Sequence, residues 1–196
     1  MRLFPVIALF IFLASCKSSE TTVKWEKPSE QSDKIKNVMV ISLSPLKENR
    51  ELIEWEVVYK LRDKGYKTGP SHAFVEGDLT EENILKAMDD NGFDGALTVA
   101  LKGTRSETQY QRSDRYLSDP NYVYFSNYFD ATYGARINTT VFIVETNGYQ
   151  REDEKLVFTA LSESFNLGDL ETVVDDFALG VANAIHKAKI LEKLKD

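Results

Sequence analysis

Residues 37–66 read NVMVISLSPLKENRELIEWEVVYKLRDKGY. The first seven are apolar at Val38, Met39, Val40, Ile41 and Leu43, without alternation. A strand apolar on both faces is one covered on both faces, as in a sheet between two helical layers. The period then changes. Ile53, Val57 and Leu61 recur every four residues, and Leu52, Trp55 and Val58 widen the stripe, which predicts an amphipathic helix. Ser44 and Pro45 fit its cap and first turn. The helix stops at Leu61-Arg62-Asp63-Lys64-Gly65-Tyr66. Glycine takes the left-handed position that ends a helix cheaply, and the aromatic after it folds back on Leu61.

The same stop recurs at Met88-Asp89-Asp90-Asn91-Gly92-Phe93. It closes a helix that Thr80 caps, with Asn83 three residues on and Glu81 and Glu82 at the positive end. A short strand near 66–75 precedes this helix, and GALTVALKG (95–103) follows it as another apolar strand. Two βα units of this kind feed parallel strands. The stretch MDDNGFDG has the look of a calcium loop, but the ligand register fails. From Asp89 the fifth position is Phe93, and from Asp90 the third is Gly92. A helix stop explains these residues.

Downstream, ARINTTVFIVET (135–146) and KLVFTALSESF (155–165) are β-branched and aromatic, and NGYQREDE joins them. Its Asn147-Gly148 is a hairpin signal. A final helix runs from about Leu170 to Leu194, with Asp169 as its cap and Val173, Phe177, Val181, Ile185 and Ala188 on one face. The order β-α-β-α-β-β-β-α predicts an α/β fold with a single mixed sheet of about five strands. Right-handed crossovers give the order 2-1-3-4-5 with the last strands antiparallel. The first and last helices then cover one face and the second helix the other. A two-layer sheet with all helices on one side is the alternative.

The chain ahead of this domain divides in two. Residues 17–34, KSSETTVKWEKPSEQSDK, are polar and lack apolar periodicity, which reads as a flexible tether reaching about 60 Å when extended. Val23 and Trp25 are the exceptions, able to dock on the domain or a partner. Upstream, Arg2 is followed by an uncharged run from Leu3 to Leu13. That is too short to cross a bilayer, which takes about 20 residues, but it suits the apolar core of a secretory signal, about 7–15 residues. Ala14, Ser15 and Cys16 follow.

Leu13-Ala14-Ser15-Cys16 resembles the lipobox of bacterial lipoproteins. The resemblance implies that residues 1–15 are removed as a signal peptide. Cys16 then becomes the first residue and carries acyl chains, palmitate among them, that hold the protein on a membrane. An ordinary signal peptide with a chance cysteine, or a buried N-terminal helix, is the alternative. Lys17 and Ser18 follow, where aspartate at the second mature position resembles an inner-membrane retention signal in enteric bacteria. Its absence favours the outer membrane, in a host that follows that rule. The domain, residues 35–196, resembles in layout the small α/β modules of periplasmic lipoproteins and envelope assembly proteins, such as the N-terminal domain of TolB. The carrying features are the glycine-aromatic stops at 61–66 and 88–93 and the closing helix. A shared fold does not transfer a function.

Composition narrows the classes. Cys16 is the only cysteine, so there is no disulfide framework and no thiolate metal site. The 24 basic residues less Arg2 leave 23 against 31 acidic ones, a net of −8 for the chain after residue 15. Nucleic acid and anionic headgroups want basic patches and are poor partners for such a surface. Neither His72 nor His186 has a metal-ligand spacing, and both read as solvated or packed side chains. No nucleophile elbow, phosphate loop or dinucleotide fingerprint occurs, so no enzyme, cofactor or metal is expected. At the point where the sheet order reverses, Ser42-Leu43-Ser44-Pro45 and Lys102-Gly103-Thr104-Arg105 offer no glycine-rich cradle in the first turn. Asn138-Thr139-Thr140 has the form of a glycosylation sequon and reads as coincidence.

The most unusual segment is YQRSDRYLSDPNYVYFSNYFDATY, residues 110–133, with six of the nine tyrosines. Tyr110, Arg112, Arg115, Tyr116, Tyr122, Tyr124, Phe125, Tyr128 and Phe129 are its candidate binding residues. Tyrosine and arginine dominate interface hot spots, and tyrosine also stacks on sugars. The residues therefore point to a non-catalytic envelope lipoprotein that offers this segment to a protein partner in assembly or transport. A glycan- or peptidoglycan-binding module using the same segment is the second reading. The third is that the segment buries its own aromatics on the sheet edge or extends the hairpin.

Overall fold

Strand β2 (Asn37–Ser42) is buried at every residue, as its unbroken apolar run requires. It lies inside a mixed sheet seen in a computed structural model, which describes residues 19–26, 34–111, 135–165 and 170–194. The elements in chain order are β1 (Ser19–Glu26), β2, α1 (Lys47–Asp63), β3 (Lys67–Pro70), α2 (Glu81–Asn91), β4 (Gly95–Gln111), β5 (Ala135–Gln150), β6 (Leu156–Phe165) and α3 (Leu170–Ala188). One turn of 3-10 helix, Ser71–Ala73, follows β3.

The sheet order is β1-β6-β5-β4-β2-β3. β2 runs parallel to β3 and β4, and the remaining pairs are antiparallel. Without β1 this is the predicted 2-1-3-4-5 order. Two cores flank the sheet. Val57, Val58 and Leu61 of α1 and Phe177, Val181 and Ile185 of α3 pack on one face with Val38, Val40 and Leu97. Ala87 and Met88 of α2 pack on the other face with Met39, Ile41 and Ala96. Successive β2 side chains point to opposite faces, so Val38 and Val40 serve one core and Met39 and Ile41 the other.

Both glycine stops form as expected. Gly65 and Gly92 have φ of 83° and 65°. Tyr66 N–H donates to Leu61 O at 3.1 Å and Phe93 N–H to Met88 O at 2.9 Å, closing each helix end. Tyr66 joins the core that holds Leu61, and Phe93 the core that holds Met88. Thr80 Oγ1 accepts from Asn83 N–H at 3.2 Å, the predicted cap.

Four expectations change. Ser19–Glu26, assigned to the tether, is an edge strand antiparallel to β6. Its inward side chains are Ser19, Thr21 and Val23, each partly buried. Ser19 and Thr21 exchange hydroxyl hydrogen bonds with Ser164 and Ser162 at 2.9 and 2.8 Å, so the strand is held by polar pairs that apolar periodicity does not register. Val23 docks on the α1/α3 core, whereas Trp25 stays 45% exposed. Second, α1 begins one residue after Leu46, whose position lacks a side-chain cap, so Ser44 and Pro45 precede the helix instead of starting it. Third, Asn147-Gly148 lies within β5, paired with Thr159 and Phe158. The chain turns at 151–154, where Glu154 takes a φ of 53°. Gly148 is there for space: an added Cβ would stand 3.2 Å from Phe158 and 3.3 Å from Leu97. Fourth, α3 ends at Ala188, and the chain continues as a strap. Glu192 N–H donates to Ile35 O and Leu194 N–H to Gly65 O, both at 2.8 Å.

Candidate functional site

Strands β4 and β5 outrun the rest of the sheet. The last β2–β4 pair is Ser42 with Val99, and the last β5–β6 pair is Val141 with Phe165. Beyond them, among the described residues, Ser106–Gln111 pairs only with 135–140, forming a two-stranded arm about 20 Å long. The apolar strand predicted at 95–103 thus continues for eight residues as a polar one. A shift of register between Leu101 and Gly103 precedes the arm. Arg105 fastens its base. The guanidinium reaches both oxygens of Glu163 on β6, at 2.9 and 2.6 Å, and Glu107 at 2.7 Å. These bonds raise the pKa of Arg105 and hold the Glu163 carboxyl below its ordinary range. Tyr110 belongs to β4 within the arm. Arg112, Arg115, Tyr116, Tyr122, Tyr124, Phe125, Tyr128 and Phe129 lie outside the described residues, as does Cys16.

A cavity of about 420 Å³ opens at the carboxyl ends of β2 and β4, where the sheet order reverses. Leu43, Ile53, Val99, Leu101, Val174 and Phe177 give it an apolar wall, and among the described residues no ionisable side chain lines it. Leu43, Leu101 and Leu170 at its mouth are 51%, 61% and 49% exposed. The place matches the switch point read from the sequence, but its chemistry is apolar. It has room for an uncharged hydrocarbon group.

The third feature was hidden by hydropathy. On α1 the stripe should bury Trp55, yet Trp55 is 48% exposed and Glu54 is fully buried. An ionised carboxylate in the interior is tolerable only when bonded throughout. Glu54 Oε1 accepts from Ser42 N–H at 2.9 Å and from Ser71 Oγ at 2.6 Å. Oε2 accepts from His72 N–H at 2.9 Å and faces His72 Nδ1 at 2.7 Å. One carboxylate therefore ties α1 to the end of β2 and to the turn after β3. Serine, histidine and glutamate meet here in the wrong order for nucleophilic catalysis. The serine hydroxyl donates to the carboxylate, not to an imidazole that could take its proton. His186, the other histidine, faces Tyr66 through Nδ1 and the phenol oxygen at 2.8 Å. Burial pushes the Tyr66 hydroxyl pKa up. Among the described residues no group of three or more metal-ligating side chains converges, and no helix is long and apolar enough to cross a membrane.

No protein-family model matches the chain, and no curated protein matches it in sequence. Solved structures resemble it at low identity. The PelC dodecamer from Paraburkholderia phytofirmans is 10% identical with a TM-score of 0.45, over 89% of this chain and 99% of that one. The lipoprotein GNA1162 from Neisseria meningitidis is 14% identical with a TM-score of 0.42, over 77% and 98%. A minor lipoprotein from Acinetobacter baumannii is 9% identical with a TM-score of 0.31, over 80% and 96%. Similarity at this level carries no argument about function.

Proposed function

We propose that the chain is a non-catalytic, lipid-anchored protein of the bacterial envelope that presents its arm to a protein partner, in assembly or transport. Cys16 is the attachment point, on the outer membrane, and its environment in the sequence supports this reading. The position of β1 changes its geometry. Ser19 opens β1 three residues after Cys16, a span of at most about 11 Å. The domain is then held close to the bilayer and does not float at the end of a long tether.

Strand directions add an orientation. β1 is antiparallel to β6, with Ser19 beside Ser164, so the lipid-bearing terminus leaves the domain at the carboxyl end of β6. The arm leaves the sheet at that same end. This shared end supports a partner in, or close to, the same membrane. The observation that carries the partner reading is the arm itself. An isolated two-stranded ribbon is marginal in water and gains stability when another surface covers it.

The test replaces residues 112–130 with a short turn and compares cross-linked partners of the membrane-bound protein. The account expects protein partners to be lost while the domain stays folded and anchored. Unchanged protein partners with lost retention on peptidoglycan would favour the glycan reading instead.

A further inference from the structure

We propose that the cleft between the first turns of α1 and the turn after β3 is a binding site for a single oxyanion group, a carboxylate or a phosphate, with Arg50 as its principal ligand. The cleft, about 280 Å³, is lined by Lys47, Arg50, Glu51, Ser71 and His72, closed by Val75, Gly77 and Leu79. Arg50 is partly buried, and its Nε is buried without a hydrogen-bond partner. No carboxylate among the described residues pairs with it. A buried N–H without a partner is uncommon, because buried polar groups are bonded and an exception points to an ion or water at the site. Its fork of N–H donors matches the two oxygens of a carboxylate or phosphate.

Among the described residues the acids beside Arg50 are engaged elsewhere. Glu54 is the nearest buried acid, but its oxygens are taken by Ser42, Ser71 and His72. Glu51 approaches Lys47 at 3.6 Å, an exposed pair of little strength. His72 is clamped through Nδ1, so its Nε2 edge keeps a fixed orientation beside the cleft. Lys47 adds a second positive charge at the rim. The lining is polar, with Lys47, Arg50 and Glu51 as its charged side chains, unlike the apolar cavity at the ends of β2 and β4. The proposal stands apart from the lipid anchor and the arm, and neither is needed for it.

Trp55 makes the site measurable. Its ring meets His72 edge-on, with centroids 5.6 Å apart. The full-length protein in non-ionic detergent, carrying Trp25→Phe, leaves Trp55 as the single tryptophan. Its emission is followed while inorganic phosphate, acetate or chloride is added at constant ionic strength. The expected result is a saturable change with phosphate or acetate and none with chloride. The preferred anion then tells a phosphate-bearing ligand from a carboxylate-bearing one. Arg50→Gln should weaken that response about tenfold or more, as the loss of a charged hydrogen bond implies, with the same melting temperature within a few degrees. Arg50→Lys, which keeps charge but not the fork, should recover only part of it. No saturable response to either oxyanion overturns the proposal, and so does an equal response in Arg50→Gln.

Discussion

Replacing Glu54 with alanine tests how the helical layer is tied to the sheet. The carboxylate is fully buried and accepts from Ser42 N–H, Ser71 Oγ and His72 N–H while facing His72 Nδ1. Alanine removes the acceptor and strands these donors. Each buried donor left without an acceptor costs about 1–3 kcal/mol, so stranding these donors together costs about 3–5 kcal/mol. In a domain of this size each kcal/mol moves the melting temperature by about 2–4 °C, so the expected fall is about 6–20 °C. Glu54→Gln should fall between parent and alanine. One oxygen still accepts from Ser42 and Ser71, but its NH2 now faces the His72 N–H. Urea unfolding followed by far-UV circular dichroism reads both variants. If Glu54→Ala lies within about 1 kcal/mol of the parent, the four-donor clamp does not hold α1 in place and the reasoning is wrong.

Three further outcomes follow from single contacts. Gly92→Ala meets no atom within 4 Å, so it should cost only the left-handed backbone, about 1–2 kcal/mol, seen as a lowered melting temperature. Gly180→Leu should drive β1 off α3 without unfolding the domain, because a Cβ there already meets Thr21 Oγ1 and Cβ. Faster amide exchange confined to residues 19–26 would confirm it, and unchanged exchange would refute it. Glu163 should titrate below 4.5, and Arg105→Gln should return it to the ordinary range in a carboxyl NMR titration. The sign is that of a depressed carboxyl. Its contribution to the base of the arm is complete above the ordinary value and is lost as pH falls through the lowered one.

The sheet order was readable because the βα units obey local rules. Unbroken apolarity in 38–41 demanded two cores, and the stops at Gly65 and Gly92 fixed where each helix hands over to a strand. What escaped is polar or long-range. β1 carries serine and threonine where a strand pattern would want valine, and its inward hydroxyls pair with Ser162 and Ser164 on a strand more than 130 residues away. Glu54 and Trp55 exchange their expected places because four donors converge on one carboxylate, which no periodicity encodes. Asn147-Gly148 has turn chemistry but sits in β5, where Gly148 lies close beneath Phe158 and Leu97. The switch point lacks a glycine-rich phosphate cradle, as its sequence indicates, but the hydrocarbon wall of its cavity is assembled from α1, β4 and α3 and is not legible in the turn alone.

The central claim is that this domain is anchored through Cys16, three residues before its first strand. Mass spectrometry of the N-terminal peptide from membrane-extracted protein tests it directly. The account predicts a chain that begins at Cys16 and carries acyl groups on its sulfur and amino group. A peptide with a free Cys16 thiol, or one whose N-terminus lies elsewhere, would contradict it.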